Sequence, residues 1–346
     1  MKICYATYEG VPMAKGGPYT KIMEVKRHLE KMGNTVVMFD MWQSAEQLNG
    51  FDCIHVVGTN LSIFGLVRNL RLRNIKYFVE PVLYSRHSPA FLKTFSKAAA
   101  LGQKAFPGLW HEYGLQREIC GSAELILPNT VAERDLLSEG FSIPKEKFRI
   151  IPNGVSEKFL KAKPDLFVKK FGLKNFILTV GHIGPRRKNI LRLVHALKNI
   201  NRPAVIIGTM LYGDETKRVK EELAQNTNIL WIDELPNHSP LLASAYAACD
   251  VFVLPSLFET PGIAALEAGL AGAKIVLTPH GGTKEYFQDM AEYVEPKSID
   301  SIRDGIFTAL KKPKDDKLQK HIKANYLWKH VAKRTLEVYK SVLERS

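Results

Sequence analysis

The chain has 346 residues, 45% hydrophobic and 24% charged. That is too apolar for a disordered polymer and too long for one ordinary core, so two domains are expected. Forty-nine Lys and Arg against thirty-five Asp and Glu leave a formal charge of +14, which favours an anionic partner without naming it.

No run of about 18 consecutive apolar residues occurs, and Met1 leads straight into the apolar run Ile3 to Ala6 without a secretory pattern. The expectation is a cytoplasmic protein, soluble or held peripherally on the inner face of the membrane. Cys4, Cys53, Cys120 and Cys249 are far apart in apolar surroundings, which suits buried free thiols rather than a disulfide frame or a zinc site. Neither a nucleic-acid-binding module nor aromatic residues interleaved with basic ones is found, so nucleic acid is not the expected partner.

In chain order, a buried-strand run at Lys2 to Thr7 passes through a loop with Gly16-Gly17 into a helical pattern from about Tyr19 to Met32, which Gly33 stops. Strands at Thr35 to Phe39, Cys53 to Val57 and Lys76 to Val79 repeat the strand-then-helix rhythm. After Asn153-Gly154 the rhythm restarts with Phe176 to Val180, Gly181, a helix from about Asn189, and strands at Ala204 to Ile207, Ile229 to Ile232, Val251 to Leu254 and Lys274 to Leu277. The fold class is therefore α/β, two tandem doubly wound, Rossmann-like parallel-sheet domains, with ligands expected at the carboxyl ends of the strands and in a cleft between the domains. The lysine-rich stretch Lys158 to Lys174 reads as the join or, nearly as well, as a polar surface loop, and Lys317 to Glu344 reads as helical. The expected domains are 1–155 and 156–325, with a C-terminal helix over 326–346.

Chemistry concentrates in Val251-Phe-Val-Leu-Pro-Ser-Leu-Phe-Glu259-Thr-Pro-Gly-Ile-Ala-Ala-Leu-Glu267. A strand ends at Ser256, Thr260 can cap a helix, Pro261 suits its first position, and Gly262 lets an anion approach the free amides. Glu259 then lies just before the helix and Glu267 two turns into it, about 10 Å apart. The basic turn Arg186-Arg187-Lys188 also stands between a strand and a helix, where fixed cations can meet a departing diphosphate.

Two Glu separated by seven residues after a strand resemble the pair of the retaining GT-B glycosyltransferases, in the large family-four group (glycosyl transferases group 1). Ordered companions carry the resemblance over most of the chain: Gly16-Gly17, Asp52-Cys-Ile-His55, Ile151-Pro-Asn-Gly154, Val180-Gly181 through Lys188, and Gly281-Gly282. It implies that Glu259 contacts the donor sugar, that Glu267 holds the nucleotide ribose, and that amides at Gly262 and Ile263 bind the diphosphate. Lys188 matches the family's phosphate-binding lysine. The family's partner arginine falls at His182, with Arg186 or Arg187 as the compensating cation. Catalytic roles thus fall to Glu259, Lys188 and Arg187, and donor binding to Gly16, Gly17, His182, Arg186, Gly262, Ile263 and Glu267. Glu80, His87 and His280 are weaker acceptor-side candidates, Glu80 having a pairing with Arg86 as its other reading; His55 reads equally as structural.

The resemblance also implies that 1–155 binds the acceptor, that 156–325 binds the donor and that the helix over 326–346 returns to the first domain. The implied activity is transfer of a sugar from a nucleotide-diphosphate sugar to a hydroxyl acceptor, with retention by front-side displacement. No Asp-x-Asp and no metal-ligand spacing occurs in the sequence, so neither a metal nor a cofactor is expected. Trp231, Asp233 and Leu235 are expected near the base without identifying it. A nucleotide-sugar epimerase or hydrolase on the same fold, or a non-catalytic binder of sugar nucleotides or polyanions, are the alternatives. From Arg68 to Lys104 there are eight Lys or Arg residues and one acid, Glu80. On a helix over Phe91 to Phe106, at about 100° per residue, Phe91, Phe95, Ala98, Ala99 and Phe106 share the core face and Lys93, Lys97 and Lys104 the opposite one. That basic face could meet an anionic membrane or a lipid-linked acceptor, or be an ordinary solvated surface.

Overall fold

The structure, a computed structural model, describes residues 1–14, 16–83, 85, 87–106 and 111–344; the side chains of Ala14, Gln103 and Lys104 lie outside the description. The chain forms two compact units, one of Met1–Asn153 with Trp328–Ser346 and one of Gly154–Leu327.

The first unit runs β1 (Lys2–Thr7), α1 (Gly10–Ala14), α2 (Gly17–Lys31), β2 (Thr35–Met38), β3 (Cys53–Val57), α3 (Leu61–Leu72), β4 (Phe78–Glu80), α4 (Pro89–Ala105), α5 (Glu112–Ser122), β5 (Leu125–Ile126) and α6 (Val131–Phe141). Its five-stranded sheet has the order β2-β1-β3-β4-β5, and every pairing is parallel. In β3 all five residues are buried, as expected of a strand covered by helices on both faces.

The second unit runs α7 (Asp165–Phe171), β6 (Ile177–Val180), α8 (Ile190–Leu197), β7 (Ala204–Ile207), α9 (Asp214–Ala224), β8 (Ile229–Ile232), α10 (Pro240–Ala248), β9 (Val251–Leu254), α11 (Ile263–Leu270), β10 (Lys274–Leu277), α12 (Thr283–Phe287), β11 (Glu292–Tyr293), α13 (Ile299–Lys311) and α14 (Lys317–Asn325). Its six-stranded sheet has the order β11-β10-β9-β6-β7-β8, again parallel throughout. The order doubles back at β6 and β9, the switch point beside which doubly wound sheets bind ligands. The final helix, α15 (Trp328–Leu343), packs on α2 of the first unit and buries Trp328, Val331 and Tyr339.

Two readings of the sequence need correction. The lysine-rich stretch is not a join: Phe159 and Phe167 are buried in the core of the second unit, so the lysines decorate a packed segment. The closing segment is helical as read, in two helices. The break occurs where Tyr326 O accepts from Val155 N at 2.8 Å and Leu327 bridges Val155. In α4 the buried face is Leu92 and Ser96, whereas Phe91 and Phe95 are 41% and 38% exposed. The cause lies in small residues on its neighbours. A Cβ on Gly140 of α6 would meet Leu92 at 3.0 Å, and one on Gly114 of α5 would meet Ala99 at 3.5 Å, so α4 approaches closely along its small-residue stripe and leaves the large rings outside.

All four cysteines are free and buried. Burial pushes the Cys4 thiol up to about 11 and that of Cys249 up to about 12, so neither is poised as a thiolate.

Candidate active site

Loops at the carboxyl ends of β6 and β9 build the site in the second unit. The turn after β6 places Arg186, Arg187 and Lys188 in one short helical turn closed by Asn189, which takes a left-handed φ of 58°. Asn189 is buried and ties two loops together, its Nδ2 donating to Pro255 O at 2.8 Å and to Pro296 O at 2.7 Å. Leu257 N donates to Arg187 O at 2.8 Å. The basic turn and the loop after β9 are therefore hydrogen-bonded into one body before any ligand arrives.

Glu259 is the centre of that body. Its Oε1 accepts from Lys188 Nζ at 2.7 Å, from Arg187 Nη1 at 2.9 Å and from Ser256 Oγ at 2.8 Å. It is only 6% exposed. Burial pushes its carboxyl up, but the Lys188 and Arg187 charges and the hydrogen bonds from Lys188 and Ser256 outweigh burial and leave it below the ordinary carboxylate range. Arg187 also donates to Phe258 O at 3.2 Å and lies over the Phe258 ring.

The helix after Glu259 starts two residues later than the sequence suggested. Thr260-Pro261 is a cis peptide, Gly262 is the N-cap with φ 85°, and Ile263 is the first helical residue. Neither Thr260 nor Pro261 therefore takes its expected place as cap and first position. The amides at the start of α11 are left without a side-chain cap, which keeps them available to an anion. A Cβ at Gly262 would fall 2.8 Å from Leu254 Cδ2, so the turn requires glycine for both its φ and its space.

Glu267 lies in the second turn of α11, buried at 5% exposure. Its Oε1 accepts from Asn237 Nδ2 at 2.6 Å and its Oε2 from Tyr246 OH at 2.8 Å. Burial raises its carboxyl to about 7 against the lowering effect of those two hydrogen bonds and of Lys158. The two carboxylates thus differ: Glu259 is locked ionised among cations, and Glu267 is held by neutral donors.

The Gly281-Gly282 loop is bound to the Glu259 loop by its backbone. Glu259 N donates to His280 O at 3.1 Å and Gly282 N to Glu259 O at 2.9 Å. His280 itself is half exposed, its Nε2 3.6 Å from Glu295 Oε2. His182 is half-buried and Arg186 exposed; neither joins the Glu259 cluster through any bond described here. Trp231 Nε1 donates to Gly208 O at 3.0 Å. Among the described residues no group of three or more His, Cys, Asp and Glu is placed to hold a metal ion.

In the first unit Gly16 is the N-cap of α2 and Gly17 its first residue. Glu80 is buried at the end of β4 with its Oε1 3.0 Å from Lys21 Nζ, and Lys21 also donates to Asn129 Oδ1 at 2.6 Å and Ile151 O at 2.8 Å. Burial raises the Glu80 carboxyl, opposed by Lys21. The suggested Glu80 partner, Arg86, lies outside the described residues. His55 is buried as well, bonded through Nδ1 to Tyr339 OH, with Nε2 3.9 Å from Glu80 Oε2; burial and Lys21 push it down to about 3, so it is neutral. His87 is exposed and stacks on Phe91 with ring centroids 4.3 Å apart, in an aromatic patch continued by Phe95, His111 and Tyr113.

Sequence reasoning missed Lys21, Asn237, Tyr246 and the role of Ser256. Ser256 stood in the quoted motif, three residues before Glu259. The others come from distant segments with no spacing signal.

Residues 165–328 match the family glycosyl transferases group 1. An uncharacterized glycosyltransferase of Methanocaldococcus jannaschii is 28% identical over 59% of the chain. An N-acetylgalactosaminyltransferase of Campylobacter jejuni, named for a diphospho-undecaprenol acceptor, is 28% identical over 58% of the chain. The matches span 56% and 54% of those proteins, so the chain covers little more than half the length of these relatives. An Escherichia coli galactosyltransferase, named for UDP-Gal and a diphosphoundecaprenol acceptor, is 29% identical over 78% of the chain and 67% of its own length. Among solved structures, sucrose-phosphate synthase of Thermosynechococcus elongatus shares the fold with a TM-score of 0.76 at 17% identity, over 100% of both chains. Anabaena HepE in complex with UDP-glucose does so at 0.76 and 16%, over 99% and 100%. The chain has the two-sheet Rossmann-like fold of the GT-B glycosyltransferases, and its residues 165–328 match the family model of glycosyl transferases group 1.

Proposed function

We propose that the protein is a retaining, metal-independent glycosyltransferase that moves a sugar from a nucleotide-diphosphate sugar to a hydroxyl acceptor. The observation that carries this reading is the meeting of Glu259, Lys188 and Arg187 beside the uncapped start of α11. Together they make a site with cations and free amides for a diphosphate, next to a buried carboxylate that can accept from sugar hydroxyls.

Without ligand the two cations neutralise Glu259. A bound diphosphate competes for them, and the Glu259 oxygens then become free to accept hydrogen bonds from the sugar. Lys188 and Arg187 meet the negative charge that grows on the leaving diphosphate, as pre-placed charges do without reorganising at the moment of reaction. Front-side displacement follows: the acceptor oxygen bonds to the anomeric carbon on the face from which the diphosphate departs, and its proton passes to a departing phosphate oxygen. Charge handled by side chains and helix amides needs no divalent ion. Glu267, facing neutral donors, suits the ribose.

A hydroxyl on a lipid-linked carrier is the acceptor class favoured by the names of the C. jejuni and E. coli relatives. Lys93 and Lys97, exposed on α4, suit peripheral contact with an anionic inner membrane face. No helix among the described residues is long and apolar enough to cross a membrane.

Product analysis with radiolabelled nucleotide sugars, with and without a lipid-linked or soluble acceptor, tests the reading. Acceptor-dependent transfer that EDTA does not abolish supports it. Epimerised or hydrolysed donor alone, bound donor without turnover, or activity lost to EDTA and restored by magnesium or manganese each contradict it.

A further inference from the structure

Asn237 lies on the surface in the loop between β8 and α10, yet both ends of its side-chain amide are engaged by other segments. Nδ2 donates to Glu267 Oε1 at 2.6 Å, and Oδ1 accepts from Lys158 Nζ at 3.1 Å, while the same ammonium also reaches Asn237 O. An ammonium only donates, so Lys158 dictates which way the amide faces: oxygen towards the lysine, nitrogen towards the carboxylate. Fixing an exposed side chain in one rotamer costs entropy that the fold of a surface loop does not require.

The consequence falls on Glu267. A carboxylate plane turns freely about its last torsion unless both oxygens are anchored. Here Tyr246 holds Oε2 and Asn237 holds Oε1, so the plane is set. Each oxygen retains a second acceptor direction, and the remaining pair matches a vicinal diol that donates one hydroxyl to each.

We propose that Asn237 is a positioning residue that orients the Glu267 carboxylate to receive the two ribose hydroxyls of the donor nucleotide, with Lys158 fixing the amide in turn. The inference rests on the donor-site reading above. It makes selectivity for ribonucleotides a property of a three-segment relay rather than of Glu267 alone.

Isothermal titration of the whole chain with UDP, GDP and ADP and with their 2′,3′-dideoxy counterparts tests it. Wild-type protein should bind at least one ribonucleotide more tightly than its dideoxy form. Asn237→Ala should weaken the ribonucleotide about tenfold, the effect of one hydrogen bond to a charged group, and leave the dideoxy form nearly unchanged. Asn237→Asp, which sets carboxylate against carboxylate, should weaken the ribonucleotide at least as much. A merely structural role would weaken both forms equally, and that result, or no loss at all, overturns the proposal. Lys158→Met should give a smaller loss confined to the ribonucleotide; full retention overturns the lysine's part. Tight binding by wild type that ignores the missing hydroxyls would instead refute the ribose role of Glu267, and absence of any nucleotide binding would refute the donor reading itself.

Discussion

The carbonyl of Glu259 occupies the space that a side chain on Gly281 would need: a Cβ there would lie 2.1 Å from Glu259 O. Gly281 also takes a φ of 93° and bridges Glu259 through the backbone. Gly281→Ala must therefore part the two loops and displace Glu259 from Lys188 and Arg187. The variant should lose more than about 1 kcal/mol of stability, as alanine does where φ is positive, and should lose transfer activity more than nucleotide affinity. A variant with unchanged melting temperature and turnover would show that the loop pairing does not hold the site.

Lys188→Ala should lower turnover more than tenfold, because removing one pre-placed charge at a developing anion commonly costs about 2–4 kcal/mol. Glu259→Gln should lower transfer far more than it weakens nucleoside diphosphate binding, since the lost acceptor faces the sugar. Steady-state kinetics beside isothermal titration separates the two. Equal losses in binding and turnover for Glu259→Gln would move that residue to the nucleotide.

Much of this was legible in the sequence because strands buried on both faces read as continuous apolar runs: Cys53–Val57, Ala204–Ile207, Val251–Leu254 and Lys274–Leu277 fall where those runs put them. The two-residue strands Leu125–Ile126 and Glu292–Tyr293 are too short to leave a pattern. The Phe91 and Phe95 face of α4 was misread because the helical wheel assigns the largest apolar rings to the core, while Gly140 and Gly114 make close approach favour Leu92 and Ser96 instead. At the site, Glu259 and its basic turn were readable because both stand at strand ends. Asn237, Tyr246 and Lys158 meet Glu267 from segments 21 to 109 residues away, a proximity that only the folded sheet creates.

Glu267 gives a pH prediction. Burial raises its folded carboxyl to about 7, whereas in the unfolded chain it ionises near about 4.3. Between those values the folded state binds more protons, so this group's contribution to stability falls as pH rises. Glu267→Gln should remove that slope and melt higher than wild type at pH 8, with the advantage vanishing below about pH 4. Glu133, also raised to about 7 by burial, contributes equally to both proteins and cancels. Parallel melting-temperature profiles for the two proteins would contradict the raised carboxyl.

On the acceptor side, liposome co-sedimentation should show binding that rises with anionic lipid and falls with salt. Each basic residue near such a surface contributes about 1 kcal/mol. Lys93→Gln with Lys97→Gln should reduce it. Nucleotide affinity should not change. Wild-type protein that ignores anionic liposomes at low salt would leave α4 as ordinary surface and the acceptor a soluble molecule.

The most direct measurement is a thermal-shift screen of wild type, Lys188→Ala and Glu259→Gln against nucleoside diphosphates and their sugar conjugates. A ligand that binds only the folded chain stabilises it by about 2.7 kcal/mol at a hundred times its Kd. The account predicts that one nucleotide sugar raises the wild-type melting temperature beyond its bare nucleotide. Glu259→Gln should lose that sugar increment but keep the nucleotide shift, and Lys188→Ala should reduce both. No shift with any nucleotide sugar, or shifts that ignore both substitutions, would contradict a donor site built on Glu259 and Lys188.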